Sequence, residues 1–114
     1  MRAVVVTEFG GPEVLRVDER ASPSPASGEV VVDVAAAGVN FMDIYGREGR
    51  PPYARETPFV LGAEGAGTVS AVGADVSEVA VGDRVAWTGV PGSYAERVVV
   101  PAHRAVPILS LIHI

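Results

Sequence analysis

The chain has 114 residues, enough for one hydrophobic core and too few for two ordinary domains. Apolar residues make up 48% and charged residues 20% of it, which excludes a disordered acidic tail. All nine basic residues are arginine and the formal charge is −5, which argues against a general nucleic-acid or anionic-membrane surface.

Cysteine is absent, so disulfides, redox thiols and thiolate zinc sites are removed from consideration. The opening run Met1 to Val6 meets Glu8 and Gly10 too early for a signal-peptide core. No apolar run reaches the ~18–20 residues of a membrane span. Valine contributes 22 residues, and glycine with proline another 22. Valine favours a pleated, half-buried surface, whereas glycine and proline mark bends, so a β-rich single domain is expected.

In chain order, Arg2 to Thr7 reads as a strand and Phe9-Gly10-Gly11-Pro12 as a turn. Val14 to Asp18 reads as a second strand, and the Ser/Pro-rich stretch Ala21 to Gly28 as a connector within the domain. Glu29 to Ala37 is the strongest strand, nearly all apolar with Asp33 as its one interior charge. Gly38-Val39-Asn40 breaks it. Asn40 stands where a helix N-cap would satisfy free N–H groups, and Asp43 suits the positive end of that helix. Gly46, Gly49, Pro51 and Pro52 end the helix near Arg47. Gly62 to Gly73 is glycine-dense and then alternates as a strand; Arg84 to Trp87 and Tyr94 to Val100 supply two more. The expectation is mainly β: six or seven short strands and one or two short helices in a partly open barrel.

Gly65-Ala66-Gly67 invites a dinucleotide-fingerprint reading, but the position for the third glycine is Ser70, and Thr68 to Val72 continues as a strand. Close backbone crossing is the better reading. Glu64, set among small residues, is expected to be buried and held by an arginine or by backbone N–H groups. His103 reads as a surface turn residue, and neither it nor His113 has a second ligand at metal spacing. Asn40, Tyr45 and Tyr53 gather where the helix meets the glycine-proline loop. An amide and two phenols there can orient a carbonyl-bearing ligand in an apolar slot, or they can be a helix cap and two core-edge aromatics.

Four segments carry a resemblance in their order: Ala37 to Asp43 (AGVNFMD), Leu61 to Val69 (LGAEGAGTV), Val81 to Val85 (VGDRV) and Gly92 to Glu96 (GSYAE). Together they resemble the N-terminal, GroES-like catalytic domain of the medium-chain dehydrogenase/reductase superfamily, with the zinc-independent NADPH:quinone oxidoreductases as the nearest branch. Phe9 to Leu15 (FGGPEVL) fits the same branch. Asn40, Phe41 and Ala63 stand where zinc-dependent members carry or flank metal ligands, and a catalytic zinc needs about three protein ligands, so no zinc is expected.

The resemblance covers about residues 1–107, with 108–114 departing from the pattern. It implies a GroES-like domain whose Rossmann partner lies outside this chain, and a sequence that ends short of the full gene. It further implies hydride transfer from NADPH to a quinone or related enone, in a cytoplasmic protein that is a homodimer at full length. Catalytic roles fall on Asn40, Tyr45 and Tyr53, with Asn40 also facing the cofactor; Asp43 and Glu64 are structural. A zinc-free enoyl reductase of the same superfamily and a non-catalytic GroES-like binding module are the alternatives.

Overall fold

Valines in unbroken runs give strands that bury both faces, and this is how the centre of the domain is built. A computed structural model describes residues 1–108. Eight strands are present among them: β1 (Arg2–Val6), β2 (Leu15–Glu19), β3 (Glu29–Ala37), β4 (Phe59–Val60), β5 (Glu64–Val72), β6 (Arg84–Thr88), β7 (Arg97–Pro101) and β8 (Val106–Pro107). One α-helix, α1 (Phe41–Glu48), and short 3-10 turns at Pro12–Val14 and Ala102–Arg104 complete the set.

All strand pairs are antiparallel. They form a three-stranded sheet of order β2-β1-β4 and a five-stranded sheet of order β7-β3-β5-β6-β8. The expected mainly β, partly open architecture is therefore what the chain adopts. The expected change of pattern over 108–114 lies, from residue 109 on, outside the described residues.

β3 is flanked on both sides, by β5 and β7, so its register explains its composition. Val30 stands opposite Val72 and Val100, and Val32 opposite Val69 and Val98. Val30, Val32, Val69, Val98 and Val100 lie in the larger core cluster with Val85 and Trp87, whereas Val72 is exposed. Asp33, further along β3, faces outward and pairs with Arg97 at 3.0 Å. Bulges in the β3–β5 pairing between Val31 and Val32 and between Val34 and Ala36 bend the sheet. A smaller cluster of Val6, Val14, Phe59 and Leu61 lies under the three-stranded sheet, and it is this cluster that supports the loop before β5.

Two strands escaped sequence reading. β4 and β8 are two residues each, too short for any hydrophobic period to show. Gly67 confirms the crossing role expected of the glycine pattern: a Cβ there would run into the Asp33 carbonyl oxygen. Replacing it by alanine forces backbone apart in the middle of the sheet. Gly67→Ala is expected to destabilise by roughly 3 kcal/mol or more, whereas Val72→Ala, at a side chain 38% exposed, should stay within about 0.5–1 kcal/mol. Urea unfolding of both variants against the parent checks the contrast.

Candidate active site

Helix α1 is eight residues long, too short to persist alone in water. Its ends explain how it is held. Asn40 is the N-cap, in extended conformation at φ −127° and ψ 156°, and with Asp43 it forms a capping box. The Asp43 carboxylate accepts the Asn40 backbone N–H at 3.0 Å. The Asp43 N–H donates to the Asn40 carbonyl oxygen at 3.0 Å, so little is lost if the Asn40 amide turns toward a ligand. Gly49 closes the other end in the left-handed region at φ 77°. Arg47 Nε and Gly10 N–H exchange bonds with the carbonyls of Gly10 and Arg47 at 3.1 and 3.0 Å, which ties the helix to the turn after β1.

Asp43 does more than cap. It is buried, 6% exposed, and its carboxylate also accepts the Tyr94 O–H at 2.7 Å. Tyr94 is itself fixed to the sheets: its N–H donates to Leu61 O at 2.9 Å and its carbonyl accepts Val4 N–H at 2.8 Å. One carboxylate thus joins the helix start, β1 and the Leu61 loop. Burial, then the bond to Asp43 and its charge, push the Tyr94 phenol above its ordinary pKa.

The helix and the chain around Phe59 to Ala63 border a solvent-open cavity of about 260 Å³. Met42, Tyr53, Phe59, Leu61 and Pro91 give it apolar walls, and its charged groups are Asp43 and Arg55. The Arg55 guanidinium lies 4.5 Å over the Phe59 ring, and Nη1 donates to Val60 O at 2.8 Å. Burial pushes its pKa below the usual arginine value. An adjoining recess of about 200 Å³ is bounded by Tyr45, Arg50, Pro51 and Tyr53. There the two tyrosine rings are tilted 36° with centroids 5.6 Å apart, Arg50 stands 5.6 Å over Tyr45, and Arg50 pairs with Glu48 at 3.0 Å.

Of the residues expected to act together, Tyr45 and Tyr53 do meet, with Tyr53 shared between the two spaces. Asn40 lines neither; it stands at the helix start, beside Met42 and Asp43, which do line the larger one. Arg55 and Phe59 were not singled out from sequence, because a lone arginine in a proline-rich loop reads as a solvated charge. Glu64 departs from expectation. It is half-buried and has no arginine within ion-pair distance among the described residues. Its carboxylate lies over Gly38 instead, where the missing side chain leaves it room on the rim of a separate groove beside Trp87. His103 is exposed in a 3-10 turn, as a surface residue should be. Gly65, Ala66 and Gly67 lie inside strand β5, not in a strand-to-helix turn. Among the described residues no group of three or more His, Asp or Glu side chains could hold a metal, and no helix is long and apolar enough to cross a membrane.

This geometry has relatives. The family described as "Alcohol dehydrogenase GroES-like domain" matches residues 26–110. The chain belongs to this family. It is 43% identical over 105 residues to a quinone oxidoreductase of Lama guanicoe, covering 90% of this chain and 32% of that protein. It is 39% identical over 104 residues to the synaptic vesicle membrane protein VAT-1 homolog of Rattus norvegicus, covering 90% of this chain and 26% of that one. The structure of Escherichia coli quinone oxidoreductase complexed with NADPH superposes with a TM-score of 0.91 at 35% identity, over 96% of this chain and 33% of that chain. The chain therefore spans about a third or less of the relatives it matches. The medium-chain dehydrogenase/reductase resemblance carried by its motifs holds.

Tyr94→Phe removes the phenolic donor from a buried carboxylate and is expected to cost about 1–3 kcal/mol. The raised phenol pKa fixes the sign of a pH effect as well. The folded state keeps the proton longer than the unfolded state, so this contribution is whole below the unfolded phenol value of about 10 and falls as pH rises above it. Denaturant titrations from neutral to strongly alkaline pH should show that decline in the parent and a shallower one in Tyr94→Phe.

Proposed function

We propose that this chain forms the acceptor-side wall of the active site of an NADPH-dependent quinone oxidoreductase, in which hydride passes to a quinone or related enone. The observation that carries this reading is the cavity beside α1. Its apolar, aromatic walls and few polar groups suit a flat, conjugated carbonyl compound, in a chain whose relatives include quinone oxidoreductases.

The acceptor takes hydride at carbon and gathers negative charge on oxygen, so the wall's task is positioning and charge stabilisation. Tyr53 closes the cavity and Tyr45 backs it through their ring contact. The Asn40 amide, at the start of the helix that carries Met42 and Tyr45, orients the acceptor or the nicotinamide end of the cofactor. Asp43 positions the helix and takes no part in the chemistry. The reading carries a zinc-free mechanism with it, because Asn40, Phe41 and Ala63 offer no metal ligand at the positions the family resemblance marks.

The described residues do not fit the phosphates of NADPH. A dinucleotide's pyrophosphate is held by a glycine-rich turn opening a helix. Here the glycine pair is inside β5, and the start of α1 is already taken by the Asp43 carboxylate. This chain by itself accordingly does not oxidise NADPH; the cofactor is held elsewhere in a full-length homodimeric, cytoplasmic enzyme.

The test is a graft of residues 1–107 in place of the matching stretch of the Escherichia coli quinone oxidoreductase. The chimera should oxidise NADPH with a quinone at a rate unaffected by EDTA, while this chain alone gives none. Asn40→Ala in the chimera should lower kcat/KM by about tenfold to a hundredfold, at a melting temperature that a mere cap loss of ~1 kcal/mol would explain. A folded but inactive chimera, EDTA-sensitive turnover, or an Asn40→Ala effect confined to stability would count against the reading.

A further inference from the structure

Arg55 is out of keeping with the cavity it lines. It is half-buried among Phe59, Tyr53, Leu61 and Pro91, yet among the described residues no carboxylate lies within ion-pair distance of it. The one acid sharing the cavity, Asp43, already accepts the Asn40 N–H and the Tyr94 O–H. The Arg55 contacts that exist account for one side of its guanidinium: Nη1 on the Val60 carbonyl oxygen and the flat face on the Phe59 ring. A guanidinium has a planar fork of further N–H donors. Desolvating a cation without an anion is unfavourable, and stacking on an aromatic ring offsets only part of that.

We propose that Arg55 is a specificity-determining residue that anchors an anionic oxygen on the acceptor, so that the cavity selects flat conjugated compounds bearing a carboxylate or an ionised hydroxyl over their neutral counterparts. This deepens the quinone-acceptor reading and rests on it for the nature of the ring system. The Phe59 ring and the Val60 carbonyl hold the guanidinium in one orientation, which is what bidentate recognition of an oxyanion requires. The apolar walls offer a bound oxyanion few competing polar partners. Asp43 does not occupy the Arg55 fork, because its carboxylate is already engaged by the Asn40 N–H and the Tyr94 O–H.

Calorimetric titration of the 114-residue chain tests this without any hydride transfer. Two matched pairs of probes are used: a hydroxynaphthoquinone that is ionised at neutral pH against its methoxy analogue, and naphthoate against naphthamide. The parent should bind each anion at least about tenfold more tightly than its neutral partner, with the gap narrowing as salt rises. Arg55→Met should close the gap while leaving the neutral probes within about twofold, and Arg55→Lys should keep part of it, since lysine retains charge but not the fork. Equal binding of anion and neutral partner by the parent overturns the inference, and this comparison needs no variant to fold. So does a gap that survives Arg55→Met. If naphthoate binds in an Arg55-dependent way but neither quinone binds, the anion anchor stands and the quinone reading falls. If the neutral quinone binds and no anion is preferred, the quinone reading stands and the anchor falls.

Discussion

The Asp43 carboxylate is the point on which the site depends. An eight-residue helix has too few internal hydrogen bonds to hold its shape against chain entropy. Asp43 supplies what is missing twice over, by accepting the N-cap N–H and by accepting the phenol of a tyrosine fixed to the sheets. Bonds to a charged acceptor are worth about 1.5–3 kcal/mol each, and these two act at the same atom, Oδ2. The arrangement also explains the burial of the acid, because a carboxylate with two donors at a helix start loses little by leaving water. At the other end of the helix the reciprocal Arg47–Gly10 bonds do the equivalent work without burying a charge.

The opposite wall of the site is placed by the sheets. β3 lies between β5 and β7 with valines facing valines on both sides, which gives an unyielding base. Phe59 and Leu61, from the smaller core cluster, carry that rigidity out to the wall of the cavity. Tyr53 and Arg55 are presented by the stretch from Gly46 to Pro58, which carries two glycines and three prolines. A rigid base with ligand-facing residues on a connecting loop is a common division of labour in binding sites.

How much of this was legible in the sequence follows from the length scale of each signal. β3 was readable to its ends, because a nine-residue stretch, apolar but for Glu29 and Asp33 and bounded by Gly28 and Gly38, leaves few alternatives. The helix was readable from its caps: Asn40, Asp43 and Gly49 each have a local physical role that needs no tertiary knowledge. β4 and β8 were not, since strands of two residues owe their existence to partners far along the chain. The Tyr45–Tyr53 pairing was legible as a cluster, but the Asp43–Tyr94 bond was not, because 51 positions separate its ends. Glu64 misled for an instructive reason. Small neighbours suggest a tight, buried site, whereas Gly38 opens space and leaves Glu64 half-buried. Arg55 was silent because nothing local distinguishes a half-buried arginine from a solvated one.

The central claim is that Asp43 holds α1 in place as one wall of a preformed cavity. Amide hydrogen exchange, read residue by residue in the parent and in Asp43→Ala, tests it most directly. The account predicts that protection over Phe41–Glu48 collapses in the variant while β3, β5 and β7 exchange as before, since the valine core does not involve this residue. Unchanged protection of the helix in Asp43→Ala, or an equal loss across helix and sheet, would contradict it.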